Sequence, residues 1–267
     1  MPERELPRFA DLPLHADAPP GSSWSVWGDD DEIGTLNLIE AEHVAAAARL
    51  VRRGAVFPLN WDLALPSPAF FLRENPRHVM IEKYGGSATD DYLEGFWPQA
   101  SSQWDGLRHF GDPDWGFYNR ATLTEVMTEG AGRLGIEKWA ERGIAARGVL
   151  LDVARLLDAD GVERDPFDWY PIDVALLTRT AAEQGVSLGR GDVLVVRTGW
   201  IEAYEQLDEV GRQALAAEGR DPAARASSAT TCRRSSGTPG SPPSRRTTRR
   251  SRPAIGRRAP TCRSTGR

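Results

Sequence analysis

Histidine and cysteine are scarce in this 267-residue chain, with four His and two Cys. Two cysteines cannot build a disulfide framework, and no Cys/His spacing of the metal-knuckle kind is present. Long apolar runs are missing as well. No stretch approaches the ~18–20 apolar residues that a membrane helix needs. The opening, Met1 to Leu14, is polar and broken by proline. It lacks a basic segment followed by an apolar run, so no signal peptide is expected. These absences point to a cytoplasmic protein with no membrane partner. The hydrophobic content, 40%, is compatible with a packed core in one large domain or two small ones.

Acidic residues are missing from one end only. Ala224 to Arg267 holds 12 of the 33 basic residues, all arginine, and none of the 38 acidic ones. The first 223 residues therefore carry 21 basic and 38 acidic residues, a balance of −17 that the net −5 conceals. Such an acidic body argues against nucleic-acid binding. Both cysteines, Cys232 and Cys262, lie in the basic end, and all nine tryptophans lie outside it.

Three segments follow from these shifts: an extended, proline-rich lead-in over 1–23, a body over 24–223, and a tail over 224–267. In the body, Asp31, Glu32, Gly34 and Asn37 supply turn and cap chemistry between two apolar clusters. The run IEAEHVAAAARLVRRG has helical spacing, ends in arginine and is followed by Gly54, a helix with its stop. AVFPLNWDLA alternates as a strand, with Pro58 at an edge or bend, and RHVMIEKYG is a second strand. Residues 85–120 are rich in Gly, Asp and Trp with little periodicity, an irregular stretch whose aromatics favour function over disorder. GIEKWAERG is a short helix, and Gly148 to Val153 is a buried strand. PIDVALLTRTAAEQGV is a helix with Asp173 as N-cap and Gly185 just past its end. GDVLVVRTGW, apolar on both faces from Val193 to Val196, suits the middle of a sheet covered by helices. IEAYEQLDEVGRQALAAEG is helical again. The class is mixed α/β.

The chemistry-bearing stretch is WPQASSQWDGLRHFGDP. Asp105 and His109 stand four apart, with Gln99 and Gln103 before them. A carboxylate, an imidazole and amide oxygens on one loop can bind a divalent metal and its water. Binding lowers the pKa of that water, and a nearby His can pass the proton to a leaving amine. Arg108 suits a substrate carboxylate. Trp97, Trp104 and Phe110 can wall an aromatic pocket. Each has a plainer reading too: one Asp and one His in a loop also make a cap and a surface or core histidine, and the aromatics also make core. Asp152, after the GVLL run, is either a site acid at a strand end or the N-cap of the next helix. Arg197 and Trp200, at the end of their strand, are pocket candidates without a specific signal. His43 falls among Ala and Val in a helix and reads as structural. His15 falls in the lead-in, and His78 begins a strand.

The stretch QASSQWDGLRH resembles the cyclase-family loop His-x-Gly-Thr-His-x-Asp-x-Pro-x-His, in the branch that carries QWDGxxH. WGxxDEIGTLNLI near the start looks like the same branch, and GDVLVVRTGW resembles the strand before the family's active-site segment. The resemblance covers about 200 residues. It implies a swivelling β/β/α fold with an incomplete C-terminal part. It also implies arylformamidase-like hydrolysis of N-formylkynurenine, in tryptophan catabolism, or of small cyclic amides. The implied cofactor is one or two divalent ions, Zn or Mn, and the implied assembly a homodimer. Asp105 falls on the family's ligand Asp and His109 on its proton-transfer His, whereas Gln99 and Gln103 replace its two ligand histidines. Gln is a weaker ligand for Zn than imidazole, so a harder ion or no ion suits such a site. The family's remaining ligands, a His and a Glu, come near its C-terminus, and this chain has no His after His109.

The tail has no aromatic residue and one large aliphatic, Ile255, so it cannot bury a core. One reading is a disordered, polyanion-binding arm. The preferred one is a reading-frame change near codons 223–226. Arg, Ser, Pro, Thr and Gly are what GC-rich codons give out of frame. Back-translating Ala224 to Pro253 with such codons and reading two nucleotides on permits a helix pattern, then a strand, IAAVAAD, then a turn. A degenerate, non-catalytic cyclase fold is the remaining alternative to an active hydrolase.

Overall fold

The computed structural model describes residues 6–130 and 132–218. They all belong to one unit, Met1–Ser235, and the second unit, Ser236–Arg267, holds none of them. The tail over 224–267 and its two cysteines thus lie outside the described residues.

The second half is built as the sequence suggests. Strand β3 (Gly148–Asp152) runs parallel to β4 (Val193–Arg197), with Leu150 opposite Val195. Between them lie α4 (Val153–Ala159) and α5 (Val174–Glu183). Val149 and Leu151 are buried on one side of β3, where they pack with Ala181 and Leu177 of α5. Asp152 caps α4 by accepting the Arg155 N–H, and Asp173 caps α5 by accepting the Leu176 N–H. Gly185 follows with a left-handed φ of 66°. Each cap satisfies an amide that the first helical turn leaves without a partner. Of the two readings for Asp152, the structure thus shows the cap.

Four local expectations change. Residues 55–64 form no strand; Val56, Phe57 and Leu59 lie open to solvent without a paired strand alongside. The stretch after Gly85 is less irregular than its composition suggests. Ala88–Glu94 forms β2, antiparallel to β1 (Arg77–Lys83), with Met80 opposite Asp91. Pairing across the tight turn at Gly85 and Gly86 specifies β2, not burial, so it carries no apolar signature. Among the described residues β4 has β3 as its one partner and is not central. The last helical run divides into α6 (Trp200–Glu205) and α7 (Glu209–Glu218), where the Gly211 N–H takes the Asp208 carboxylate in a new first turn.

The first half has few regular elements besides α1 (Ala41–Ala48) and the hairpin. A 3-10 turn, Gly34–Leu38, follows the acidic cluster. His43 closes the start of α1 by accepting the Glu40 N–H at 3.0 Å, the structural role expected of it. One turn, α2 (Leu123–Val126), carries a Thr122/Glu125 capping box, and α3 spans Ile136–Arg142. Between them sits a core of Ala121, Val126 and Leu134, with Leu107, Phe117 and Tyr118 packed against it. This core seats the loop that carries Asp105 and His109.

Candidate functional site

The loop from Gln103 to His109 has no regular structure, so its shape depends on what it lies against. Gly106 passes so close to the next segment that a Cβ there would sit 3.1 Å from the Ile136 nitrogen and 3.3 Å from the Leu134 oxygen. Only glycine fits without moving that backbone. Leu107 then turns into the core, and the Arg108 N–H donates to the Leu134 carbonyl at 3.1 Å. The His109 N–H donates back to the Gly106 carbonyl, also at 3.1 Å, which closes a turn and aims the imidazole outward.

That turn sets His109 Nε2 4.0 Å from Asp105 Oδ1. The imidazole is about one-third exposed and the carboxylate about half. The spacing is beyond direct hydrogen-bonding reach, so the two groups meet at ion-pair distance and can share a water at their side. Arg108 leans the other way, 3.6 Å from Glu137 and 3.4 Å from the Val126 carbonyl. Next to Arg108 and His109 opens a recess of about 530 Å³, with Phe117, Leu123, Val126 and Met127 as apolar wall and Glu129 at its rim.

The other candidates are placed differently. Gln103 is exposed and Gln99 half-buried, with the Gln99 carbonyl accepting from Arg73 at 2.8 Å. Trp97, Trp104 and Phe110 are exposed and do not line the recess. Trp104 meets Trp139 edge-on at 6.1 Å. Sequence reasoning missed Leu123, Val126 and Met127, whose spacing signals a helical face but not its neighbour. His78 pairs with Asp91 at 2.6 Å on the hairpin, away from this loop in sequence.

Behind the loop lies a polar hub built by the DEIGTLN stretch. The Asp31 carboxylate accepts from the Gly34 N–H at 2.7 Å, the Asn37 amide at 2.6 Å and the Tyr118 hydroxyl at 2.9 Å. Burial, and then the Asp31 charge, push the Tyr118 phenol far above its usual range, so it stays a donor. Asn119, buried in a left-handed conformation, donates to the Gly28 and Asp31 carbonyls and accepts the Ser25 N–H.

The same two stretches, DEIGTLN and QWDGLRH, fall inside the match to known proteins. A sequence profile of the family described as Cyclase fits residues 31–233. The chain belongs to the cyclase family. A solved crystal structure of a novel cyclase aligns with a TM-score of 0.64 and 31% identity, over 79% of this chain and 69% of that one. No curated protein matches it. Membership also supports the α/β class. Among the described residues no helix is long and apolar enough to cross a membrane.

A cyclase-type metal needs donors, and these can be tried against the geometry. Among the described residues, no three or more His, Cys, Asp or Glu side chains converge on one point. Asp105 and His109 make two, and a catalytic zinc site takes about three protein ligands. The described residues therefore do not make a complete metal site by themselves.

Proposed function

We propose that this cyclase-family chain is built as a metal-dependent hydrolase of small amides or cyclic amides. The reading is arylformamidase-like, acting on substrates of the N-formylkynurenine type as in tryptophan catabolism. The observation that carries it is the Asp105–His109 pair, 4.0 Å apart beside an apolar recess. His109 is the proton-transfer group: it takes a proton from the attacking water and delivers it to the departing amine. Asp105, on the same turn, orients that water and would be the first ligand of a Zn or Mn ion, with Gln103 and Gln99 as neutral oxygen donors. The apolar part of the substrate lies along Phe117, Leu123 and Met127, with Arg108 toward a substrate carboxylate. The partner is a small molecule and the assembly a homodimer. Asp105 and His109 alone fall short of the three or so protein ligands of a catalytic zinc site.

That same count favours a second reading, a degenerate cyclase fold without turnover. We connect the two readings through the gene: the remaining donors lie in the frame left near codons 223–226. Sequencing the gene across codon 224 tests this connection, and an intact frame with Arg and Ser codons overturns it. Metal analysis with formamidase and cyclic-imide assays, on this chain and on a frame-repaired one, tests the chemistry. Turnover with bound metal after repair is the expected result. No ion and no turnover in either form overturns the hydrolase and leaves the degenerate fold.

A further inference from the structure

Leu134 is fully buried yet has a left-handed φ of 64°, a conformation that L side chains rarely adopt. Residues held this way persist only where their surroundings fix them, and they cluster at functional sites. Here both faces of the residue are gripped. Its N–H donates to the Glu32 carboxylate at 2.6 Å, across 102 positions of sequence. Its carbonyl accepts the Arg108 N–H at 3.1 Å, and Gly106 lies against the same carbonyl. Its side chain belongs to the core against which Leu107 packs. The next residue continues the pattern: the Glu137 carboxylate folds over Gly135 and pairs with Arg108 at 3.6 Å. One backbone segment, 134–137, therefore holds residues 106–108, and Glu32 holds that segment.

We propose that Glu32 is a positioning residue for His109. It acts through the strained Leu134 peptide and touches neither the Asp105–His109 pair nor the recess. Its carboxylate is a charge-assisted acceptor. Without it, the Leu134 amide loses a partly buried partner, and the left-handed turn whose carbonyl orients Arg108 and the following imidazole keeps only its core packing and the Arg133–Glu125 backbone bond. Glu32→Gln keeps an oxygen at the same reach and restores the arrangement. Glu32→Asp keeps the charge but falls one methylene short. The functional meaning rests on the role given to His109 above, but the tests read geometry without turnover.

The experiment is NMR on the full chain with labelled histidine, alongside hydrogen exchange at the Leu134 and Arg108 amides. In the unsubstituted protein both amides are expected to be protected together. Glu32→Ala and Glu32→Asp are expected to displace the His109 ring resonance, leave that of His78 in place, and lower Arg108 protection about tenfold or more, the factor such a bond is worth. Glu32→Gln should bring both readouts back. An unmoved His109 in either folded variant overturns the proposal, as does a Gln variant displaced as far as the Asp one. Should Glu32→Ala fail to fold, Glu32→Asp carries the comparison. Should both fail, a Leu134 amide that exchanges freely in the unsubstituted protein overturns it, and one protected together with the Arg108 amide upholds it.

Discussion

Two loop-rich regions of this protein differ sharply in how complete they are. Around Asp31, Asn119 and Leu134, irregular backbone is tied by long-range hydrogen bonds, and polar groups such as the Asp31 carboxylate and the Asn119 amide find partners. From Leu50 to Leu72, irregular backbone instead presents apolar side chains to water: Val56 is 87% exposed, Leu59 80% and Phe57 76%. Trp61 is an exception, meeting Trp200 and Tyr204 edge-on and donating to Glu205. The first region closes on itself. The second is a surface of the kind that something else covers. The loop of Asp105 and His109 belongs to the first region, which is why it has a definite shape even without a full set of metal donors.

The largest expected effect breaks the closed region at its hub. Asp31→Ala removes one acceptor from three donors, Gly34 N–H, Asn37 and Tyr118. Stranding buried donors costs roughly 1–3 kcal/mol each, with some relaxation. A loss of about 4 kcal/mol in urea unfolding is expected. A loss below about 1 kcal/mol would mean that the hub is solvated and that the contrast between the regions is false. Leu134→Ala comes next. It opens a cavity at a fully buried position and should cost about 2–4 kcal/mol. A neutral result would show that the core seating Leu107 can collapse.

Much of the closed region was legible as pieces and little of it as a whole. Turn chemistry at Asp31 and Asn37 followed from local residue types, and so, beyond this region, did the cap at Asp173 and the strands β3 and β4, whereas Asp152 was open between a cap and a site acid and the pairing of the strands was not given. The Asp105–His109 pair followed from motif spacing. What did not follow is the contact of Glu32 with Leu134, because no periodicity marks a side chain that reaches across 102 residues to a backbone amide. The conformation of Leu134 was hidden for the same reason: leucine normally argues against a left-handed φ. β2 was missed because ATDDYLE carries its strand in register with β1, not in an apolar face. The strand expected at AVFPLNWDLA has the right pattern and no partner among the described residues. An alternating run specifies a strand only when a neighbouring edge is there to pair with it.

A smaller effect tests the link between the two parallel strands. Asp152 accepts the Arg155 N–H and pairs with Arg197 at 2.8 Å, and its side chain is 24% exposed. Burial raises its pKa, but the Arg155 amide and the Arg197 guanidinium outweigh that and hold the carboxyl below its usual 3.8. A depressed carboxyl stabilises the fold above its unfolded value, and that stability is lost as pH falls through the lower folded one. Asp152→Asn keeps the helix cap and removes the charge. It should cost about 0.5–1 kcal/mol near pH 6. The gap to the unsubstituted protein should close as acid protonates Asp152. A gap that stays constant down to about pH 2 would assign the effect to the cap, not the ion pair.

The smallest effect bears most directly on the open region. Phe57→Ala removes a ring that is 76% exposed, and a substitution at such a surface normally stays within about 0.5 kcal/mol. In this chain the unfolding midpoint should therefore hardly move. A frame-repaired chain gives the same substitution a different meaning. If the helix and strand that a shifted frame permits past codon 223 pack on this region, Phe57 becomes buried. Its truncation should then cost about 3 kcal/mol or more, as at a core aromatic. The two measurements form a cycle in which the difference, not either value alone, reports the missing cover. A near-zero cost in both chains would leave the open region as true surface and remove the structural support for a lost frame. A large cost in the present chain would mean that a second copy already covers the strip, and the unfolding midpoint should then rise with protein concentration.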